Sequence, residues 1–297
     1  MSTASRPTLL VAGASGQLGR RVLELLLEKG AGTVIATTRT PEKLADLAAK
    51  GVDVRKAAFS EPSSLPAAFE GADRMLLIST NDLANRRTEQ RAAVEAGIAA
   101  GVKHVVYTSG PAVRPDPTNP LIDSHYFTEV AMAASPVGWT ALRNNIYAEI
   151  TLMGLPHAIA TGQLFTATGK GGRSYVTRED CARAAAAALA ADFDGQRILD
   201  VSGPAAVTQD ELAALASEIS GRPVVHVPVP APDLVAGLTA AGLPAAYAAV
   251  LAALDVDASQ GYHAVVTPAV EDLTGRAPTP IREFLLANRA ALAPKAG

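Results

Sequence analysis

Cysteine is almost missing from this chain: Cys181 is the single one among 297 residues, so no intrachain disulfide and no C-x-x-C motif can form. It lies in an alanine-rich helical run, where a buried structural thiol is expected. A G-x-S-x-G sequence is absent too, and His104, His157, His226 and His263 are scattered without metal-ligand spacing. Hydrolase and zinc readings therefore fail, and no metal is expected. Charge of one sign is not in excess either. The 26 basic and 29 acidic residues leave a net charge of -3, which gives no electrostatic case for a nucleic-acid partner. Met1 to Thr8 contain no apolar signal core, so a cytoplasmic location is expected. An uncharged run, Gly237 to Leu254, is long enough to span a bilayer. It is mostly alanine, is broken by Gly242 and Pro244, and is bracketed by Asp233 and Asp255, which predicts a pair of soluble helices and no membrane contact.

What is present is an ordinary globular composition, 48% hydrophobic and 19% charged, in a chain long enough for one large or two unequal domains. Its most informative stretch is Gly13-Ala14-Ser15-Gly16-Gln17-Leu18-Gly19. An apolar strand, Thr8 to Ala12, precedes it, and Leu18, Val22, Leu25 and Leu26 follow at helical spacing. Strand, glycine turn and helix together make a dinucleotide-binding fingerprint of the G-x-x-G-x-x-G kind. Gly13 permits the turn, Gly16 lets a pyrophosphate approach the backbone, and Gly19 lets the helix pack on the sheet. The helix N-terminus presents unpaired N–H groups to the phosphates.

The next strand, Thr33 to Thr38, ends at Arg39 rather than at the Asp or Glu that binds a ribose 2′-hydroxyl. A guanidinium there can pair with a 2′-phosphate, and Lys43 could add charge. The expected cofactor is NADPH/NADP.

Strand and helix signals then alternate, which predicts an α/β fold: a Rossmann-type doubly wound parallel sheet. The strands fall at 52–57, 73–78, 103–108 and 137–142, with helices at 62–69, 85–100 (capped near Asn81 or Asp82) and 121–134. Arg86, Arg87 and Arg91 share the second of these helices with Glu89, which suggests a solvated face. After Asn145 the regularity changes. A helix is expected at 146–160, short strands at 163–166 and 173–176, a helix at 178–191, and a strand at 197–201. Further on, the pattern predicts a helix at 208–220 with a Thr208/Glu211 capping box, a strand at 223–228, and helices beyond. The domains are accordingly read as 1–150 for the NADP-binding Rossmann unit, with 178–202 returning to it, and 151–297 for a smaller, discontinuous α+β substrate-binding region.

With these elements placed, the chain resembles the NmrA-like branch of atypical short-chain dehydrogenase/reductases, and within it the bacterial NADPH-dependent quinone oxidoreductases, with triphenylmethane dye reductases nearby. The residues that carry the likeness are the Gly13 to Gly19 loop, Arg39, Leu77-Ile78-Ser79-Thr80, Val106-Tyr107-Thr108-Ser109 and Leu142-Arg143-Asn144-Asn145. It runs on to Asp272-Leu273-Thr274-Gly275-Arg276 and the final helix.

Most short-chain dehydrogenases use a Tyr-x-x-x-Lys pair, in which the lysine charge lowers the tyrosine pKa for proton exchange with substrate. The resemblance places His125 at the tyrosine position and Glu129 at the lysine position. The usual relay is missing, as it is in the quinone reductase branch, so the resemblance implies hydride transfer to a quinone. Asn144 or Asn145, after the sixth strand, is the candidate polar group beside the nicotinamide, because open α/β sheets build sites at strand carboxyl ends. His125 is a third catalytic candidate, able to donate a proton near neutral pH or simply exposed.

Ile78, Ser79 and Thr80 are expected to border the cofactor, as are Thr108 and Ser109, while Tyr107 points into the sheet. Tyr147, Tyr175 and Tyr247 are candidate walls for a small-molecule substrate, and 231–258 is a candidate lid. Two alternatives stay open: a non-catalytic NADP(H)-binding redox sensor, or a reductase of dyes, imines or activated alkenes. A homodimer is a further expectation.

Overall fold

The computed structural model describes residues 6–293, so Met1 to Ser5, part of the stretch read for a signal core, lie outside the described residues. The chain divides into two compact units. The first holds the chain up to Arg143, with Cys181–Leu199 and Leu273–Gly275; the second holds Asn144–Asp180, Asp200–Asp272 and the chain from Arg276 on. The first unit therefore closes seven residues earlier than the position 150 read from the sequence, and both asparagines fall in the second. The reason is local: beyond β6 the backbone turns to other partners, with Asn145 N–H donating to Val201 O and Ala148 N–H to Val176 O.

In the first unit β1 (Leu9–Ala12), α1 (Gln17–Glu28), β2 (Val34–Thr38), α2 (Ala45–Ala48) and β3 (Asp53–Lys56) come first. They are followed by α3 (Leu65–Phe69), β4 (Arg74–Leu77), α4 (Arg86–Ala99), β5 (His104–Ser109), α5 (Pro120–Ala133) and β6 (Gly138–Asn144). The second unit begins with α6 (Thr151–Thr161), β7 (Gln163–Thr166) and β8 (Gly172–Arg173). Then come α7 (Arg178–Ala190) and β9 (Gln196–Val201), most of which lie in the first unit. The rest is β10 (Val207–Thr208), α8 (Gln209–Ser220), β11 (Val225–Pro228), α9 (Ala231–Ala240), α10 (Ala245–Ser259), α11 (Ala269–Thr274) and α12 (Ile281–Ala287).

The main sheet has seven strands in the order β3-β2-β1-β4-β5-β6-β9, with parallel pairing from β3 through β6. This is the doubly wound α/β fold expected from the alternating signals. The strands β1, β4 and β5 are buried along their whole length, which is why their apolar residues run consecutively, Leu9 to Ala12, Met75 to Leu77 and Val105 to Tyr107, rather than alternating. The chain reverses direction across the sheet between β1 and β4, and that switch point is where such sheets bind ligands. Leu10, Ile35, Phe69, Met75, Val105 and Tyr107 anchor the core.

In the second unit two small sheets pair β8 with β10 and β7 with β11. Several elements are shorter than their sequence signals. The helix expected from 146 starts at Thr151 after one 3-10 turn, because Tyr147 is extended and bridges to Val176. The strand expected at 173–176 stops at Arg173, since Ser174 N–H turns to His263 O. The N-cap position of the helix α4 is Asn85, not Asn81 or Asp82, and its side chain makes no capping hydrogen bond. The Asp82 carboxylate instead accepts the N–H groups of Ala84 and Asn85, a turn that ends before the helix begins. The Thr208/Glu211 capping box is formed. The uncharged 237–254 run is split between α9 and α10, and among the described residues no helix is long and apolar enough to cross a membrane.

Candidate cofactor and active site

The glycine loop sits at the carboxyl end of β1. Gly13, with φ +88°, starts the turn, and its N–H and that of Ala14 both donate to Thr37 O. Gly16 caps α1 in extended geometry with no side-chain cap, and the first turn of α1 carries no acidic residue. An uncapped N-terminus without a local negative charge fits a pyrophosphate. Gly19 faces back on the turn, where an added Cβ would lie 2.7 Å from Gly13 O and 2.8 Å from Ala14 Cα. Thr38, at the end of β2, donates to Ser15 Oγ at 2.7 Å and fixes that side of the loop. Arg39 follows it, exposed, as does Lys43.

Across the switch point, Ile78 N–H donates to Ala12 O. Ser79 N–H donates to Thr108 Oγ1 at 2.9 Å, and Thr80 N–H to Gln90 Oε1 at 3.1 Å. Ile78, Ser79 and Thr80 are half-buried, while the Thr108 and Ser109 side chains are buried and committed to neighbours. Ser109 Oγ donates to Glu129 Oε1 at 2.7 Å.

Beneath these strand ends lies a polar cluster that the sequence reading missed. His125 is not an exposed helical residue: it is 4% exposed, and an added Cβ at Gly110 would come within 2.9 Å of its ring. Arg86, expected on a solvated face, is also buried. Its guanidinium donates to Thr80 O at 2.6 Å and lies 2.9 Å from His125 Nε2. A guanidinium can only donate, so Nε2 accepts and the proton of the neutral ring sits on Nδ1. That nitrogen is 2.8 Å from Tyr107 Oη, which also accepts from Gln90 Nε2 at 2.9 Å. Burial, aided by the charges of Arg86 and Arg143, holds the His125 pKa well below its ordinary value. Burial pushes the Tyr107 hydroxyl up to about 12, so it stays neutral. The signal that could have exposed this cluster is the spacing of Arg86, Gln90, Ala93, Val94 and Gly97, which share the buried stripe of α4.

The two asparagines separate clearly. Asn145 is consumed by the backbone, its Nδ2 donating to His263 O at 3.1 Å and its Oδ1 accepting from Ile146 N–H at 2.7 Å. Asn144 Nδ2 donates to Tyr147 Oη at 3.2 Å, whereas its buried Oδ1 has no hydrogen-bond partner among the described residues. Of the three tyrosines, Tyr147 thus touches Asn144. Tyr175 is buried and accepts from Gln209 at 3.0 Å; it borders a cavity of about 460 Å³ in the second unit, with Val207, Leu215 and Ile281. Tyr247 is 53% exposed on α10. Among the described residues no group of three or more His, Cys, Asp or Glu side chains could hold a metal, and Cys181 is buried.

The NAD(P)H-binding family model matches residues 13–192, from the glycine turn through α7. Quinone oxidoreductase 2 of Escherichia coli is 35% identical over 254 residues, covering 85% of this chain and 88% of that protein. The crystal structure of an E. coli NADPH-dependent quinone oxidoreductase complexed with NADPH matches with a TM-score of 0.90 at 33% identity, over 94% of this chain and 99% of that one. An NAD(P)H azoreductase of Xenophilus azovorans is 30% identical over 286 residues, 95% of this chain and 98% of that protein. The Citrobacter triphenylmethane reductase complexed with NADP(H) has a TM-score of 0.85 at 32% identity, over 95% of this chain and 99% of that one. The resemblance read from the glycine loop and the strand ends is borne out: the chain belongs to the NAD(P)H-binding family.

Proposed function

We propose that this chain is an NADPH-dependent oxidoreductase that passes hydride to a quinone or a similarly electron-poor small molecule without a Tyr-x-x-x-Lys pair. The observation that carries this reading is the state of the two residues that the resemblance places at the relay positions. His125 is a buried neutral ring locked between Arg86 and Tyr107, and Glu129 is bound to Arg143 and Ser109. Neither is placed to lend a proton to a substrate carbonyl. Acceptors with strong electron demand need that help least, and for them hydride geometry is the main requirement. The relatives that act on quinones and azo compounds support the same class, since both are two-electron acceptors.

When bound, the reduced nicotinamide supplies the hydride. The chain supplies the setting. The α1 N-terminus and Gly16 would receive the pyrophosphate, Arg39 would pair with the 2′-phosphate, and Ser79 and Thr80 would border the ribose or pyrophosphate. Asn144 has its donor committed to Tyr147, so its Oδ1 is the available group, and an acceptor suits the carboxamide N–H of the nicotinamide.

The test is loss of NADPH absorbance with purified protein against a panel of quinones, azo and triphenylmethane dyes, and simple ketones. Turnover is expected with the first two classes and not with ketones. Asn144→Ala is expected to lower kcat about 10-fold, the effect of one hydrogen bond worth roughly 1.4 kcal/mol, while Asn145→Ala acts on thermal stability. Arg39→Ala is expected to raise KM for NADPH about 10-fold and leave that for NADH unchanged, as loss of a charge-assisted phosphate contact requires. Protein that binds NADPH yet turns over no acceptor would overturn the reading in favour of a cofactor sensor.

A further inference from the structure

The resemblance to short-chain dehydrogenases places Glu129 where a Tyr-x-x-x-Lys enzyme carries its lysine, and its side chain is only 9% exposed. Its Oε1 accepts from Ser109 Oγ at 2.7 Å and Arg143 Nε at 3.0 Å, and its Oε2 accepts from Arg143 Nη2 at 2.7 Å. The guanidinium therefore meets the carboxylate side-on with two nearly parallel bonds, the geometry that fixes direction as well as distance. Ser109 and Arg143 are cross-strand neighbours at the carboxyl ends of β5 and β6. One carboxylate from α5 thus ties together two strand ends. The brace extends to β4, because Thr108, next to Ser109, takes the N–H of Ser79. The residue after Arg143 is Asn144, whose buried Oδ1 has no partner among the described residues.

A buried ion pair is poor evidence for stability, since apolar residues of equal volume often do as well. What they cannot supply is a defined orientation of the strand end. We propose that Glu129 is a positioning residue: through Arg143 it fixes the end of β6 that leads into Asn144, and so sets the approach of hydride to acceptor. This rests on the reductase reading above. The position that serves proton transfer in the Tyr-x-x-x-Lys enzymes serves geometry in this chain.

The test compares Glu129→Gln with wild type in three measurements. With a quinone acceptor, kcat is expected to fall roughly 10- to 100-fold, the scale of a misplacement of about 1 Å, while KM for NADPH changes by less than about twofold. In the absence of acceptor, the Kd for NADPH is expected to hold while the enhanced nicotinamide fluorescence of the bound cofactor declines, because the ring is no longer held. The double variant Glu129→Arg with Arg143→Glu restores the pair in reverse and is expected to regain part of both signals. Should Glu129→Gln fail to fold, Arg143→Lys keeps the charge, removes the side-on contact, and makes the same comparison. An unchanged kcat and fluorescence, or losses in kcat, Kd and melting temperature that move together, would overturn the proposal. Wild-type protein that binds NADPH but reduces nothing would overturn the reductase reading alone, and the fluorescence comparison would still decide the role of Glu129.

Discussion

Gly19→Ala is expected to weaken NADPH binding by roughly 10- to 100-fold, the equivalent of about 1–3 kcal/mol of overpacking. The added methyl would lie 2.7 Å from Gly13 O and 2.8 Å from Ala14 Cα. Both are backbone atoms of the turn that shapes the site, so no flexible side chain can yield. The strain has two outlets. Either α1 slides away from β1, carrying its uncapped N-terminus out of reach of a pyrophosphate, or the turn at Gly13 opens. Both spoil the same cradle, so the loss should appear in Kd measured by titration whichever outlet wins. Gly51→Ala is a control for a generic glycine effect. Unlike Gly19, that residue has a positive φ, and open space surrounds its Cβ position, so the substitution should cost stability without touching cofactor affinity. Equal binding by Gly19→Ala and wild type would mean that the close approach has no part in holding the cofactor.

That the loop was legible from sequence, and the cluster around His125 was not, follows from what each depends on. The turn, the helix start and the strand before it are consecutive in the chain, so local spacing specifies them. The same holds for the Thr208/Glu211 box, which is settled within four residues. Arg86, Gln90, Tyr107 and His125 come from α4, β5 and α5, and only the packing of both helices on one face of the sheet brings them together. An arginine in a charged helix reads as solvated until a buried carbonyl and an imidazole are seen opposite it. Asn144 and Asn145 present the same difficulty in smaller form. Both residues are polar and follow the same strand, yet one is spent on His263 O and Ile146 N–H while the other keeps a vacant acceptor. Residue type alone groups Tyr175 and Tyr247 with Tyr147, and type carries no information about which helix or strand turns each ring inward.

Acidification is expected to destabilise the protein well above the range in which its carboxylates titrate. His104 is fully buried, and its pKa is pushed down from 6.5 to about 4, first by burial and then by the charges of Arg74 and Arg197, with Asp194 acting in the opposite sense. His125 is displaced in the same direction by burial, Arg86 and Arg143. In the unfolded chain both rings take up a proton near 6.5, whereas the folded chain resists. The unfolded state therefore binds more protons in this window, and stability falls as pH falls. The contribution is fully present above the unfolded pKa, declines below it, and for His104 stops changing below about pH 4, by which point it amounts to about 3 kcal/mol. Asp73 and Asp116, whose hydrogen bonds hold them below the ordinary 3.8, act only at lower pH. Glu89, raised by its own burial, pulls weakly the other way. Chemical denaturation at about pH 7 and about pH 5 separates these contributions, with an expected loss of about 2 kcal/mol from His104 across the interval and a further loss of the same sign from His125. His104→Gln and His125→Gln are each expected to cost stability at neutral pH yet flatten the slope, because the amide replacing each ring does not titrate. Parallel pH profiles for wild type and both variants would show that these two rings do not control acid stability.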